Sequence, residues 1–268
     1  MRSTEPGEFP ETQYSALITK ERVDEKPCKM LVMQEFETGD ASLTCIVIDK
    51  KNKLKGGGSK RKNKKKGEMD YHTLKSAQGR AVRTVRKVAM QFQPDRMLTL
   101  TFKVNLTDLD EARKRQHYFF KLLRHKWPEF TYVSVPEFQK RGAVHFHLAI
   151  RGYHSIRVLR HLWLRAAGTY GGNVDITSPK KFNKNSWNPK RIAQYLAKYI
   201  TKDDIVDFNS RRYSAGGVIP PIKKTVGFVG IGLPMYRFVD QIIRAVTGKT
   251  IEYEWDGTQF CGIQYFTT

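Results

Sequence analysis

Residues 131–150 read TYVSVPEFQKRGAVHFHLAI. Two runs rich in β-branched and aromatic residues, Thr131 to Val135 and Val144 to Ile150, flank a link of hairpin length that contains Gly142. That is the pattern of two neighbouring antiparallel strands. Successive side chains on a strand point to opposite faces, so Val144, Phe146 and Leu148 face a core together. His145 and His147 then emerge together on the other face, with Cα atoms about 7 Å apart by the strand rise.

Working outward, Met97 to Phe102 alternates as a strand, with Leu98, Leu100 and Phe102 on one face and Thr99 and Thr101 on the other. Thr107 is read as the cap of a helix with Asp110 and Glu111 in its first turn and an apolar stripe of Leu109, Ala112, Phe119 and Leu123. Ser155 opens another helix through Leu159, Leu162, Trp163 and Ala166, closed by Gly168, and Gly172 to Thr177 is a short strand. Asn188-Pro189 is an N-cap followed by a first-turn proline, launching a helix to about Lys202. Strand, helix, strand, strand, helix, strand is the split βαβ order of a ferredoxin-like, RRM-like α+β fold, with one more helix added. The expectation is a mainly antiparallel sheet with helices on one face.

The flanks are less regular. Ser42 to Ile48 is a strand candidate, and Ala77 to Phe92 a basic helix. Leu233 to Val246 reads as helical, and Ile251 to Phe266 as a hairpin around Asp256-Gly257. Residues 51–66, KNKLKGGGSKRKNKKK, carry nine basic residues and no acidic one, so they bury no core and read as a phosphate-contacting arm. The expected organisation is an N-terminal extension over 1–70, a main domain over 71–215, and a C-terminal extension over 216–268 packing on the same domain.

The 268 residues hold 48 Lys and Arg against 26 Asp and Glu, a net charge of +22, which calls for a polyanionic partner. No segment approaches the ~18 consecutive apolar residues of a membrane span, so nucleic acid is favoured over a membrane. Cys28, Cys45 and Cys261 are far apart and lack metal-ligand spacing, which reads as reduced thiols. The N-terminus has no apolar signal core, so secretion is not expected.

Two strand histidines and a carboxylate can hold a divalent ion with positions left open, which suits Mn²⁺ or Mg²⁺, with Zn²⁺ ranked after them. Glu137 is the chosen third ligand. It shares parity with Val133 and Val135, so alternation alone does not set it beside the histidines, and Pro136 is a place where the alternation can break. A bare His-x-His pair is more often two exposed strand histidines; the alternating apolar partners, the nearby Glu137 and the downstream helix reverse those odds. In that helix, Tyr195-Leu-Ala-Lys-Tyr-Ile-Thr-Lys202, the apolar stripe is Ile192, Ala193, Leu196, Ala197 and Ile200. Tyr195 and Tyr199 share a face beside the stripe, and Lys198 and Lys202 lie one strip further out. The bland reading is an i,i+4 aromatic pair. The chemical one is a pair of tyrosine nucleophiles with lysines beside the same phosphate.

The His-hydrophobic-His strand followed by the tyrosine-lysine helix resembles motifs 2 and 3 of the HUH endonucleases, specifically rolling-circle replication initiators (Rep proteins). MLTLTF resembles their motif 1. The YxxKYxxK form is similar to the two-tyrosine initiators of single-stranded DNA phages and related plasmids. The resemblance covers roughly residues 75–215. It implies a metal on Glu137, His145 and His147, attack by Tyr199 with Tyr195 as second nucleophile, and Lys198 and Lys202 beside the phosphate. The products implied are a 5′-phosphotyrosine and a free 3′-OH. DNA contacts are expected from Lys60, Arg61, Lys62, Arg80, Arg83, Lys140, Arg141, Arg211 and Arg212. The implied partners are single-stranded or hairpin origin DNA, a host polymerase and a host helicase. Gly248-Lys249-Thr250 is no P-loop, because Ile243 stands where the first glycine is needed. The expected setting is the host cytoplasm, or the nucleus of a eukaryotic host, with the protein a monomer or weak oligomer. A tyrosine transposase of the same superfamily and a nonenzymatic single-strand-binding sheet are the competing readings.

Overall fold

The computed structural model describes residues 8–21, 28–48, 71–177, 188–202, 211–230, 232, 235–257 and 263–268. In chain order the elements are β1 (Cys28–Glu35), β2 (Ala41–Ile48), α1 (Tyr71–Phe92), β3 (Arg96–Thr101), α2 (Leu109–Lys126), β4 (Tyr132–Phe138), β5 (Val144–Ile150), α3 (Ile156–Ala167), β6 (Asn173–Thr177), α4 (Pro189–Lys202), β7 (Ser214–Gly216), β8 (Lys223–Gly230), α5 (Met235–Thr247), β9 (Tyr253–Gly257) and β10 (Ile263–Thr267). They form two compact units, one of residues 64–220 and one of residues 1–63 with 221–268.

The larger unit is built on an antiparallel sheet of order β6-β3-β5-β4-β7. The first four strands follow the ferredoxin-like arrangement expected from the element order, and the fold is α+β. Strand parity decides what each face meets. Leu98 and Leu100 of β3, Phe146 and Leu148 of β5 and Val174 of β6 turn to one side, where α2 and α3 supply Phe119, Leu123 and the fully buried Trp163. The Trp163 indole nitrogen donates to the Thr101 carbonyl at 2.9 Å, so the ring adds core area without an orphaned polar group. Each large apolar side chain buried here contributes roughly 1.5–3 kcal/mol. The cap of α2 is Asp108, one residue after the expected Thr107; its carboxylate accepts from the Asp110 and Glu111 amides at 2.8 and 3.1 Å.

The opposite face is covered as well. Met97, Val133, Val135 and Ala149 pack against Val85 and Phe92 of α1 and Ile192, Leu196 and Ile200 of α4. Helices therefore lie on both faces of the sheet rather than on one. The reason is local: β4 and β5 carry apolar residues in both parities, and the basic helix before β3 has an apolar stripe of its own. Asn188 caps α4 as expected, accepting from the Arg191 amide at 2.8 Å.

The smaller unit is a second antiparallel sheet, β8-β1-β2-β10-β9, with α5 on one face. Leu31, Met33, Leu43 and Phe266 meet Phe238, Val239, Ile242 and Ile243 of α5 there. The segments 1–70 and 216–268, read as two separate additions, thus share one sheet. Asp256-Gly257 is strand rather than turn: Asp256 pairs with Gln264 and Gly257 with Ile263. Among the described cysteines, Cys28 and Cys45 are buried thiols, and burial pushes the Cys45 thiol up to about 12. Among the described residues, no helix is long and apolar enough to cross a membrane.

Candidate active site

The register of β4 with β5 sets Glu137 directly across from His145 and Val135 across from His147. Residues paired across two strands point to the same face, so both imidazoles and the carboxylate share one side of the sheet. No break at Pro136 is needed, because Pro136 continues the ladder opposite Phe146. The histidine face is the one that α1 and α4 cover, and His145 and His147 are only 8% and 7% exposed.

His147 is gripped from two sides. Its Nε2 lies 2.7 Å from Glu137 Oε2, and its Nδ1 lies 3.3 Å from the Thr99 hydroxyl. Thr99 belongs to β3, in register with His147. It was not among the expected site residues, although strand parity already set it on the face away from the core leucines. Glu137 is also bonded through Oε1 to the Lys202 ammonium at 2.6 Å. Burial alone raises the Glu137 carboxyl, but the bonds from Lys202 and His147 outweigh it and hold the group below its ordinary range.

The tyrosines stand where α4 crosses this face. The Tyr199 ring stacks on His147 with centroids 3.8 Å apart and planes 7° from parallel. The Tyr199 hydroxyl donates to the Tyr195 hydroxyl at 2.6 Å, and the two rings meet edge to face. Tyr199 is buried, whereas Tyr195 is 42% exposed. Burial first, then the hydrogen bond to Tyr195 and the charge of Glu137, push the Tyr199 phenol well above the ordinary tyrosine range.

The donor set fits a divalent ion in chemistry and in face. His145 Nε2 is buried without a hydrogen-bond partner. Burial, then the neighbouring His147 and Arg141, depresses the basicity of that imidazole, which keeps its lone pair available. The side chains as placed do not converge, however. Among the described residues, no group of three His, Cys, Asp or Glu side chains is gathered closely enough to hold a metal.

The other expected residues divide. Lys202 reaches Glu137, while Lys198 lies on the neighbouring turn of α4. Arg80, Arg83, Lys140, Arg141 and Arg211 are exposed. Arg212 is 7% exposed, so of the arginine pair only Arg211 faces solvent. Lys60, Arg61 and Lys62 lie outside the described residues.

A ferredoxin-like sheet that carries strand histidines against a tyrosine helix, in so basic a chain, is the arrangement of the rolling-circle replication class. Residues 95–204 match the family model of the replication-associated protein ORF2, a rolling-circle Rep family. The matched span runs from β3 to just past α4 and takes in Glu137, His145, His147, Tyr195 and Tyr199. No curated protein and no solved structure gives a significant match to the chain.

Proposed function

We propose that this replication-associated chain nicks and rejoins one strand of origin DNA by tyrosine transesterification. The observation that carries the reading is the seating of Tyr199 on His147, with the Tyr195 hydroxyl 2.6 Å from its own. Tyr199 is the first nucleophile and Tyr195 the second. The Tyr199 oxygen bonds to the scissile phosphorus and the bond from phosphorus to the 3′ oxygen breaks. The phenolic proton leaves along the hydrogen bond to the exposed Tyr195, and the departing 3′ oxygen takes a proton from solvent. The products are a 5′-phosphotyrosine and a free 3′-OH, which primes a host polymerase while a host helicase unwinds the template. Attack on the phosphotyrosine by Tyr195 or by a 3′-OH rejoins the strand. Each exchange conserves one phosphodiester bond, so joining needs no nucleoside triphosphate.

Glu137, His145 and His147 would hold the divalent ion, Mn²⁺ or Mg²⁺. Once bound, it would supply Lewis-acid polarisation of a phosphate oxygen. The unpartnered Nε2 of His145 supports that assignment. Thr99 fixes the orientation of the His147 ring, in the manner of outer-shell partners of ligating histidines. Lys202 and Lys198, on α4 beside the tyrosines, meet the phosphate charge. The test is incubation of the full chain with single strands from its own replicon and Mn²⁺ or Mg²⁺. An SDS-resistant protein–DNA adduct is expected; its absence across the whole replicon contradicts the reading.

A further inference from the structure

A second cleft lies behind the tyrosine site, on the other face of the same strands. Pro136 and Phe146 line it, and they alternate in β4 and β5 with Glu137 and His145, which face the other way. The cleft, about 190 Å³, sits among α2, β4 and the segment that leads into β7. Its aromatic lining is Phe120 stacked on Tyr132, with centroids 3.7 Å apart, and Tyr213. A buried polar pair on the wall is Gln116, whose amide donates to the Ser134 hydroxyl at 2.7 Å. His117 and Arg211, both exposed, stand at the mouth, and Arg113 ties α2 to the Arg211 carbonyl. Among the described residues, no carboxylate lines it.

We propose that this cleft binds one unpaired nucleotide of the DNA strand outside the scissile position. The proposal rests on the strand-transfer reading and adds a site for the flanking strand. A cavity below the ~300–1,000 Å³ of pockets for drug-sized ligands suits a single ring system. Aromatic walls offer a base its flat face, as in single-strand-binding proteins. The Gln116 amide and Ser134 hydroxyl offer polar atoms to its edge. Arg211 and His117 at the mouth meet the attached phosphate, and the absence of a lining carboxylate leaves that charge unopposed. The cleft and the tyrosine site, on opposite faces of β4, would hold separate stretches of one strand that rounds the sheet edge at β7.

The test uses the full chain and a short oligo(dT) carrying a single iodouracil, moved one position at a time. Irradiation should crosslink one position to Phe120, Tyr132 or Tyr213. The H117A/R211A variant should bind oligo(dT) roughly tenfold more weakly, with a salt slope shallower by about 0.7 for each phosphate left without its cation. Crosslinks confined to other residues, or unchanged affinity and slope in the variant, overturn the proposal. Inorganic phosphate that suppresses the crosslink as well as thymidine monophosphate does would make this an anion site and overturn the base assignment. Adduct formation by the unaltered protein is scored separately, so strand transfer and the cleft fail independently.

Discussion

The phenol ring of Tyr199 lies flat on the imidazole of His147, 3.8 Å between centroids. One side chain thereby serves as a nitrogen donor and as the surface that seats the nucleophile. Replacing His147 with Ala removes both. Metal-dependent cleavage should be lost while most of the salt-sensitive DNA binding remains, because that binding comes from lysines and arginines elsewhere. Gel assays of cleavage and fluorescence anisotropy of binding, run on one preparation, separate the effects. Cleavage that survives either the substitution or chelation contradicts the metal role.

Thr99 touches the other nitrogen of His147 at 3.3 Å. Outer-shell partners of this kind are typically worth about 10–100-fold in metal affinity or activity. Thr99→Val keeps the shape and deletes the hydroxyl. The concentration of Mn²⁺ needed for half-maximal cleavage should rise by a factor in that range, and Thr99→Ser should recover most of it.

Stability should depend on pH through two groups of the site. The Tyr199 phenol is raised above its ordinary value of 10.0, chiefly by burial. Its contribution to stability is therefore full below pH 10 and is lost as pH rises beyond it. Glu137 is depressed below its ordinary 4.5, because the bonds from Lys202 and His147 outweigh its burial. Its contribution is present above that value and is lost as pH falls through the depressed one. Urea denaturation of the metal-free protein across pH should show the alkaline loss disappear in Tyr199→Phe and the acid loss shrink in Glu137→Gln.

Gly172 marks a place where two elements come too close for a side chain. A Cβ there would lie 2.4 Å from the Thr101 carbonyl oxygen and 2.5 Å from the Trp163 indole nitrogen. Those two atoms form the hydrogen bond that holds α3 to β3. Gly172→Ala should cost about 1–3 kcal/mol by overpacking, read as a lower denaturation midpoint with an unchanged slope.

Much of the larger unit was legible because its signals are local. The alternation in β3 and β5, the stripe of α2 and the Asn188-Pro189 start of α4 each declare themselves within a few residues. The position of Glu137 was not legible from parity, because Val133 and Val135 suggested a buried core face and the histidines an open one. The two are the same face, and α4 closes over it. The second sheet was hidden for a different reason. β1 lies between β2 and β8, and its pairing with β8 joins Cys28 to Gly230 across most of the chain. No short-range pattern reports that pairing. Arg212 reads as a surface arginine beside Arg211, yet it is buried, since charge alone does not reveal which of two neighbours turns inward.

The most direct measurement is the location of DNA on the protein after strand transfer. The adduct formed with replicon single strand is digested with nuclease and protease, and the peptides are read by mass spectrometry. The expected result is a nucleotide phosphate on Tyr199, or on Tyr195 when Tyr199 is replaced by Phe, with no adduct in the Tyr195→Phe, Tyr199→Phe double variant. An undiminished adduct in that double variant, or a nucleotide carried by a residue outside α4, contradicts tyrosine transesterification at this site.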